Sequence, residues 1–280
     1  MSAKSPAVRS GLGAGWIEVR QAFSSPQDII GIIFLPTVFL VVTVFLRDSR
    51  IDGTNFSLAT TTLPGVIGLM LAFNGIQGVA FTLLMEREDG TLLRAKTAPN
   101  GMLAYLIAKI MQSSASAVST VVILLVPGIF LFNDLVLDRA SSWVTLLWVL
   151  ALGLLATMPF GAIAGSLLSN PRNIGVLMFP LIAIVGISGI FFPLTSAPQW
   201  MQAVAQVFPV YWIGLGMRGA LLPDTMAAVE IADSWRPLET AAVLGLWAVI
   251  GLVLAPAVLR RMAQRESGSV MEERRIKAMQ

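Results

Sequence analysis

Charge is missing from this chain in blocks. No Asp, Glu, Lys or Arg occurs in residues 29–46, 62–85, 110–133, 140–171, 173–217 or 240–259. A helix needs roughly 20 predominantly apolar residues to cross a hydrocarbon core, with about 17 as the lower bound. Every block reaches that bound. The runs are continuous rather than alternating, which excludes a closed barrel of short tilted strands. Where no water satisfies backbone groups, the helix remains. The reading is an all-α integral membrane protein with six spans, at about 29–46, 62–84, 110–132, 143–168, 174–192 and 240–259. Prolines at 36, 127, 159, 180 and 256 fall inside these spans, where neighbouring helices can re-satisfy the freed carbonyls. The whole chain, 1–280, reads as one transmembrane domain.

Orientation follows from Lys and Arg. With both termini in the cytoplasm, the inside segments hold 14 of the 19 basic residues and the outside segments 5. The topology is therefore N-in and C-in, and the net charge of +3 is largely a topology signal. No basic stripe with interleaved aromatics points to nucleic acid. The polar stretch before the first span is too long and too mixed for the leader of a cleaved signal peptide, so that span is expected in the mature protein. Within it, Trp16, Ile17, Val19 and Phe23 suit one face of a short interfacial helix, turned into span 1 by Ser25-Pro26. The sequence GLGAGW at 11–16 reads as flexible backbone.

Chemistry is scarce. The chain has no Cys and no His, which removes thiol nucleophiles, imidazole bases and most transition-metal sites. No Gly-rich loop followed by Lys-Ser/Thr is present to cradle phosphate. Among ionisable groups inside the bundle, Lys109 near a cytoplasmic end is the one candidate, placed where it can snorkel. Asn74 and Gln77 lie three apart on one face of span 2, suited to interhelical hydrogen bonds or to a transport path. A chain of this kind is expected to be non-catalytic, with no metal and no cofactor of its own.

The stretch MEREDGTLLRAKTAPN, 85–100, joins spans 2 and 3 on the cytoplasmic side. With six spans around it, this loop resembles the membrane subunit of type-2 ABC exporters. The matching residues are Glu86-Arg87-Glu88, then Gly90-Thr91-Leu92, Pro99, Tyr105 and Lys109, with Asp89 completing the charge-dense cluster; Leu93-Arg94 departs from the family's acidic continuation. A second match, 189–222, resembles the family's extracellular segment before the last span, with Phe191-Phe192-Pro193, Pro198, Trp200, Pro209 and Arg218. The resemblance runs from about residue 15 to 260.

The resemblance implies a permease subunit, working as two permease chains (a homodimer) on two separate ATPase subunits that carry ATP and Mg. Residues Glu86 to Thr91 would then dock on the ATPase. The segment 193–220 would form an outer gate of short re-entrant helices, with Trp200, Tyr211 and Trp212 at the interface. One 45-residue helix there would be about 67 Å long, more than twice the hydrocarbon thickness. A path poor in fixed charge suits apolar or amphipathic cargo, drug-like or lipid-like, exported across the cytoplasmic membrane of a bacterium. Polysaccharide or lipid-linked glycan export remains the alternative within the family. An ATPase-independent channel and a non-transporting assembly protein remain outside it.

Overall fold

The structure is a computed structural model that describes residues 4–50, 57–98, 101–132, 134–168 and 171–265; Pro99 lies outside them. Every element longer than an isolated bridge is helical among the described residues. Helix α1 (Lys4–Ala22) leads into α2 (Pro26–Phe45). Then come α3 (Leu58–Phe73), a π-helical turn (Asn74–Gly78) and α4 (Val79–Glu88). A short α5 (Thr91–Thr97) precedes the long α6 (Gly101–Leu131) and α7 (Ala140–Leu167). The last part holds α8 (Gly175–Ile187), α9 (Gln199–Ala205), α10 (Pro209–Leu221) and α11 (Pro237–Arg265).

Among the described residues, five helical stretches are long and apolar enough to cross a membrane. They are α2, the continuous α3–π–α4 rod, α6, α7 and α11. Each covers an expected span, and most overrun it. α6 has 31 residues, about 46 Å at 1.5 Å per residue. Its first turns, up to Lys109, are as helical as the charge-free part, because absence of charge marks only the portion suited to hydrocarbon. The sixth expected span, 174–192, is different. Its helix α8 has 13 residues, about 20 Å, against a core of about 30 Å. It stops at Ser188, and Gly189 takes a left-handed φ of 65°, open to glycine at little cost. Ile190 and Leu194 beyond it are buried in protein, so the charge-free block continues without a helix.

Ordinary local rules start and stop the elements. Ser25 caps α2 with Pro26 in its first turn, and Ser57 caps α3; both leave first-turn N–H groups paired. α4 ends at Gly90, φ 72°, the left-handed stop that glycine favours.

The core is built on α10. Tyr211, Ile213, Leu215 and Met217 are wholly enclosed, between α3 and α7. The approach is backbone to backbone: a Cβ on Gly68 would lie 2.9 Å from the Cα of Gly214. On the other side, Gly216 meets Val149 of α7. Without a strong hydrophobic drive in lipid, such small-residue contacts let helices associate through dispersion. The expected interfacial belt is therefore corrected in part. Trp200 is 63% exposed, but Tyr211 and Trp212 are buried in this core.

A second glycine contact surrounds the π-helical turn. Gly161 of α7 packs on the carbonyls of Gly75 and Ile76, and Gly165 on Ala80. The Gly-rich stretch near the N-terminus is also helical rather than flexible. Gly11 and Gly15 of α1 press on Ala104, Ala108 and Met111 of α6, so α1 lies lengthwise along the first turns of α6. Trp16 and Ile17 point away from that seam, exposed.

The Gly161→Ala substitution would place a methyl group 2.5 Å from the Ile76 carbonyl oxygen. It is expected to destabilise the fold by about 1–3 kcal/mol, the usual cost of overpacking. Gly186→Ala, where a Cβ meets open space, should be silent in the same thermal-unfolding assay.

Candidate functional site

The expected site residues fall into three groups, and the structure gives them different surroundings. In the first, Glu86, Arg87, Glu88 and Asp89 are the end of α4 and its stop, not a free loop. Helical spacing divides them. Glu86 and Arg87 turn inward, while Glu88 and Asp89 face out, exposed. Arg87 donates to the carbonyls of Leu168 (2.7 Å) and Gly165 (3.4 Å), pairing orphan carbonyls at the end of α7.

Glu86 joins a cluster that ties three helices together. Lys109 of α6 pairs with Glu86 of α4 and, at 2.6 Å, with Glu18 of α1. The Tyr105 hydroxyl donates to Glu86 Oε2 at 2.6 Å, and Lys109 also donates to Gln112 at 3.1 Å. Lys109 is thus a bridging cation rather than a snorkelling one. Glu18 could not be picked from the sequence, because its partner lies 91 positions away.

Gly90 and Leu92 are buried, and α5 is held from below. Leu83, Leu92 and Met262 form a small core with Met102, Tyr105 and Leu259 around it. The turn is therefore fastened to α4, α6 and α11 at once. Its outer face presents Glu88, Asp89, Arg94 and Thr97.

In the second group, Asn74 starts the π-helical turn, a distortion often found where helices do work. Its amide donates to Met70 O (2.9 Å) and Thr120 Oγ1 (3.3 Å) and accepts from Ser116 Oγ (3.0 Å). This is the interhelical hydrogen bonding expected of it. Asn74 and Gln77 also line a cleft of about 780 Å³ between α1, α2, the α3–α4 rod and α6.

The third group is at the opposite end. Phe191 stacks on Phe39 of α2, with centroids 6.1 Å apart. Phe192 and Pro193 are half-buried, Pro198 and Trp200 exposed, and Pro209 opens the buried α10. Arg218, 3% exposed, pairs with Glu230 through Nε–Oε1 at 2.6 Å and donates to Gly189 O at 3.4 Å. Arg236 donates to Gln206 Oε1 at 2.8 Å and to the Tyr211 hydroxyl, and stacks over Trp212 at 4.7 Å. The expectation that Lys109 is the one ionisable group inside the bundle is thereby corrected, since Arg218 and Glu230 are both buried. A lone Arg closing a 45-residue uncharged run was the available signal, because buried charge is rarely left unpaired.

Among the described residues, five helices of spanning length, with a structured turn between two of them and a buried ion pair at the far end, define a polytopic helical membrane protein. The sequence matches the ABC-2 family transporter protein description over residues 47–257, and the chain belongs to that family. It is 28% identical over 195 residues to the probable doxorubicin resistance ABC transporter permease protein DrrC of Mycobacterium tuberculosis, covering 68% of this chain and 69% of that one. It is 23% identical over 206 residues to the putative transport permease YvfS of Bacillus subtilis, covering 71% and 80%. The probable multidrug ABC transporter permease YbhR of Escherichia coli is 25% identical over 150 residues, covering 53% and 40%.

Arg218→Met is expected to cost about 3–5 kcal/mol, because it leaves the Glu230 carboxylate buried and unpaired. The double variant with Glu230→Gln should recover a large part of that loss. Unfolding midpoints of the purified proteins would check both, and equal midpoints for the single and double variants would show no coupling.

Proposed function

We propose that this chain is the transmembrane permease of an ATP-driven exporter, with ATP and Mg held by separate ATPase subunits. The observation that carries the reading is the α4–α5 turn. A turn meant only to connect two spans needs no core of its own. This one is fastened to three long helices through Leu83, Leu92 and Met262 and locked to α7 by Arg87. A push on its exposed face would move long helices rather than deform a loop. Glu88, Asp89 and Thr91 are the proposed docking residues, with Gly90 setting the turn, and Glu86 and Arg87 transmitting the load inward. Charges on that face would fix register with the partner more than affinity.

The same reading places both termini and the turn in the cytoplasm, in the inner membrane of a bacterium. α8 with the extended segment through Pro193 would make the sixth crossing, restoring an even number. Supporting this, Pro171–Ile174 lies beside α4, and the Ile190 carbonyl approaches Gly65 in the middle of α3, about 30 Å along the rod from the end of α4. Trp247, about 15 Å into α11 from Pro237, donates to Val207 O. Leu221 O accepts from Val136 at the α6–α7 connection. The chain from Thr195 to Leu221 would thus dip to mid-depth and return, as a re-entrant outer gate closed by Phe191, Phe192 and the Arg218–Glu230 pair. Val176, Phe179 and Ile182 of the short α8 are exposed, a face suited to a second copy of the permease. Cargo would be amphipathic and drug-like; DrrC carries a doxorubicin-resistance name and YbhR a multidrug-transporter one.

The test is co-purification of an ATPase subunit with the tagged chain in mild detergent. Glu88→Lys with Asp89→Lys should lower recovery of that subunit at least about fivefold, roughly 1 kcal/mol, while the permease keeps its yield and melting point. Unchanged recovery, or transport that persists without an ATPase, would move the channel reading to the front.

A further inference from the structure

The docking turn and the outer gate leave unused a cleft of about 780 Å³ beside Asn74. Its shape is graded. Toward the α4–α5 turn it is lined by Glu18, Asp28, Glu86, Asp89 and Lys109. Higher up its walls are Ile32, Leu35, Phe73 and Phe81, with Gln77 and Ser116 among them. Along α6, the lined stretch from Lys109 to Thr120 rises about 16 Å, the length of a drug-like molecule or half a lipid.

Charge decides what the lower end accepts. Four carboxylates line it against the single ammonium of Lys109, among the described residues around the cleft. Lys109 already sits between Glu18 and Glu86, so the site holds an amine of the protein's own. Asp28 is exposed, in the first turn of α2, and neither it nor Asp89 has an ion pair among the described residues. The neighbouring Arg94 donates to the Asp89 carbonyl, not to its carboxylate. An anionic head would meet this excess and be repelled. A cationic head would be attracted, and the reduced dielectric beside apolar walls strengthens the preference.

We propose that the cleft binds an amphiphile through its protonated amine, with the head between Glu18 and Asp28 and the apolar body along Phe73 and Phe81. Both a free amine-bearing compound and the aminoethyl head of a phospholipid carry this chemistry. The lining residues all belong to one chain, so binding needs no second permease. Calling that ligand cargo rests on the exporter reading; the binding itself does not.

The experiment uses the purified full chain in phosphatidylcholine nanodiscs, without ATPase. The probe is a dansyl-labelled alkyl primary amine, with the matching alkyl sulfonate as comparison. Saturable amine binding at least about tenfold tighter than sulfonate binding is expected. Glu18→Gln with Asp28→Asn should weaken the amine about tenfold and leave the sulfonate no weaker. Asp28→Asn alone alters an exposed side chain, keeps the α1–α6 contact, and should weaken the amine about threefold. Equal binding of the two probes, or amine binding unchanged in both variants, would overturn the proposal. Phosphatidylethanolamine nanodiscs separate the sources: displacement of the probe assigns the site to a lipid head, and undiminished binding assigns it to a free amphiphile. Because no nucleotide is present, a positive result stands even if no ATPase is ever recovered.

Discussion

The packing of α10 between α3 and α7 depends on a scarce resource in a membrane, namely contact close enough for dispersion to hold helices together. Gly65, Gly68, Gly214 and Gly216 remove side chains where the three helices meet. The approach that results encloses Tyr211, Ile213, Leu215 and Met217. α3, α7 and α11 pack around α10, and their lipid-suited residues can stay outside. α2 and α11 are accordingly long, apolar and only lightly buried. The seam also brings Arg218 toward the 224–235 segment, where Glu230 neutralises it.

Charge is then distributed by depth. The two ends each carry an ion-pair cluster that joins elements distant in sequence. At one end Lys109 draws α1 and α4 onto α6. At the other, Arg218 and Arg236 fasten α10 and its flanks. The exposed pair Arg139–Asp224, at 3.4 Å, adds little because solvent screens it. The middle is held instead by the Asn74 hydrogen bonds and by glycine contacts around the π-helical turn. Asn74 and Arg87 thus have their hydrogen bonds made, whereas Thr62 Oγ1, Glu230 Oε2 and Trp235 Nε1 are buried without one among the described residues.

Much of this was legible in the sequence. The charge-free blocks located the five long helices, and the three-residue spacing of Asn74 and Gln77 placed both on the same cleft. What was hidden has a physical cause in each case. The block 173–217 read as a full span followed by short re-entrant helices, and neither the stop of α8 at Ser188 nor the enclosure of α10 was visible there, because composition cannot distinguish burial in lipid from burial in protein. Tyr211 and Trp212 were assigned to the interface by that same confusion. Gly11 and Gly15 read as flexible because their use is a contact with Ala104 and Ala108, far along the chain. Glu86 looked like a docking charge because charge density does not say which way a helical side chain points; one position further on, Arg87 turns in and Glu88 out.

These parts combine into a lever on the exporter reading. The α5 turn cannot move without α4, α6 and the end of α11, which share its small core. α4 in turn cannot slide without the π-helical turn, since Gly161 and Gly165 of α7 hold the carbonyls of Gly75, Ile76 and Ala80 at van der Waals limits. A close-packed seam of this kind favours a shift between discrete arrangements over continuous bending. The π-helical turn is the place where a register change costs least, because its hydrogen-bond ladder is already distorted. Asn74 and Gln77 sit on that turn and line the cleft. A displacement driven at Glu88 and Asp89 would therefore reshape the cleft before it reached the Arg218–Glu230 pair, opening the loading side and the outer gate in sequence rather than together.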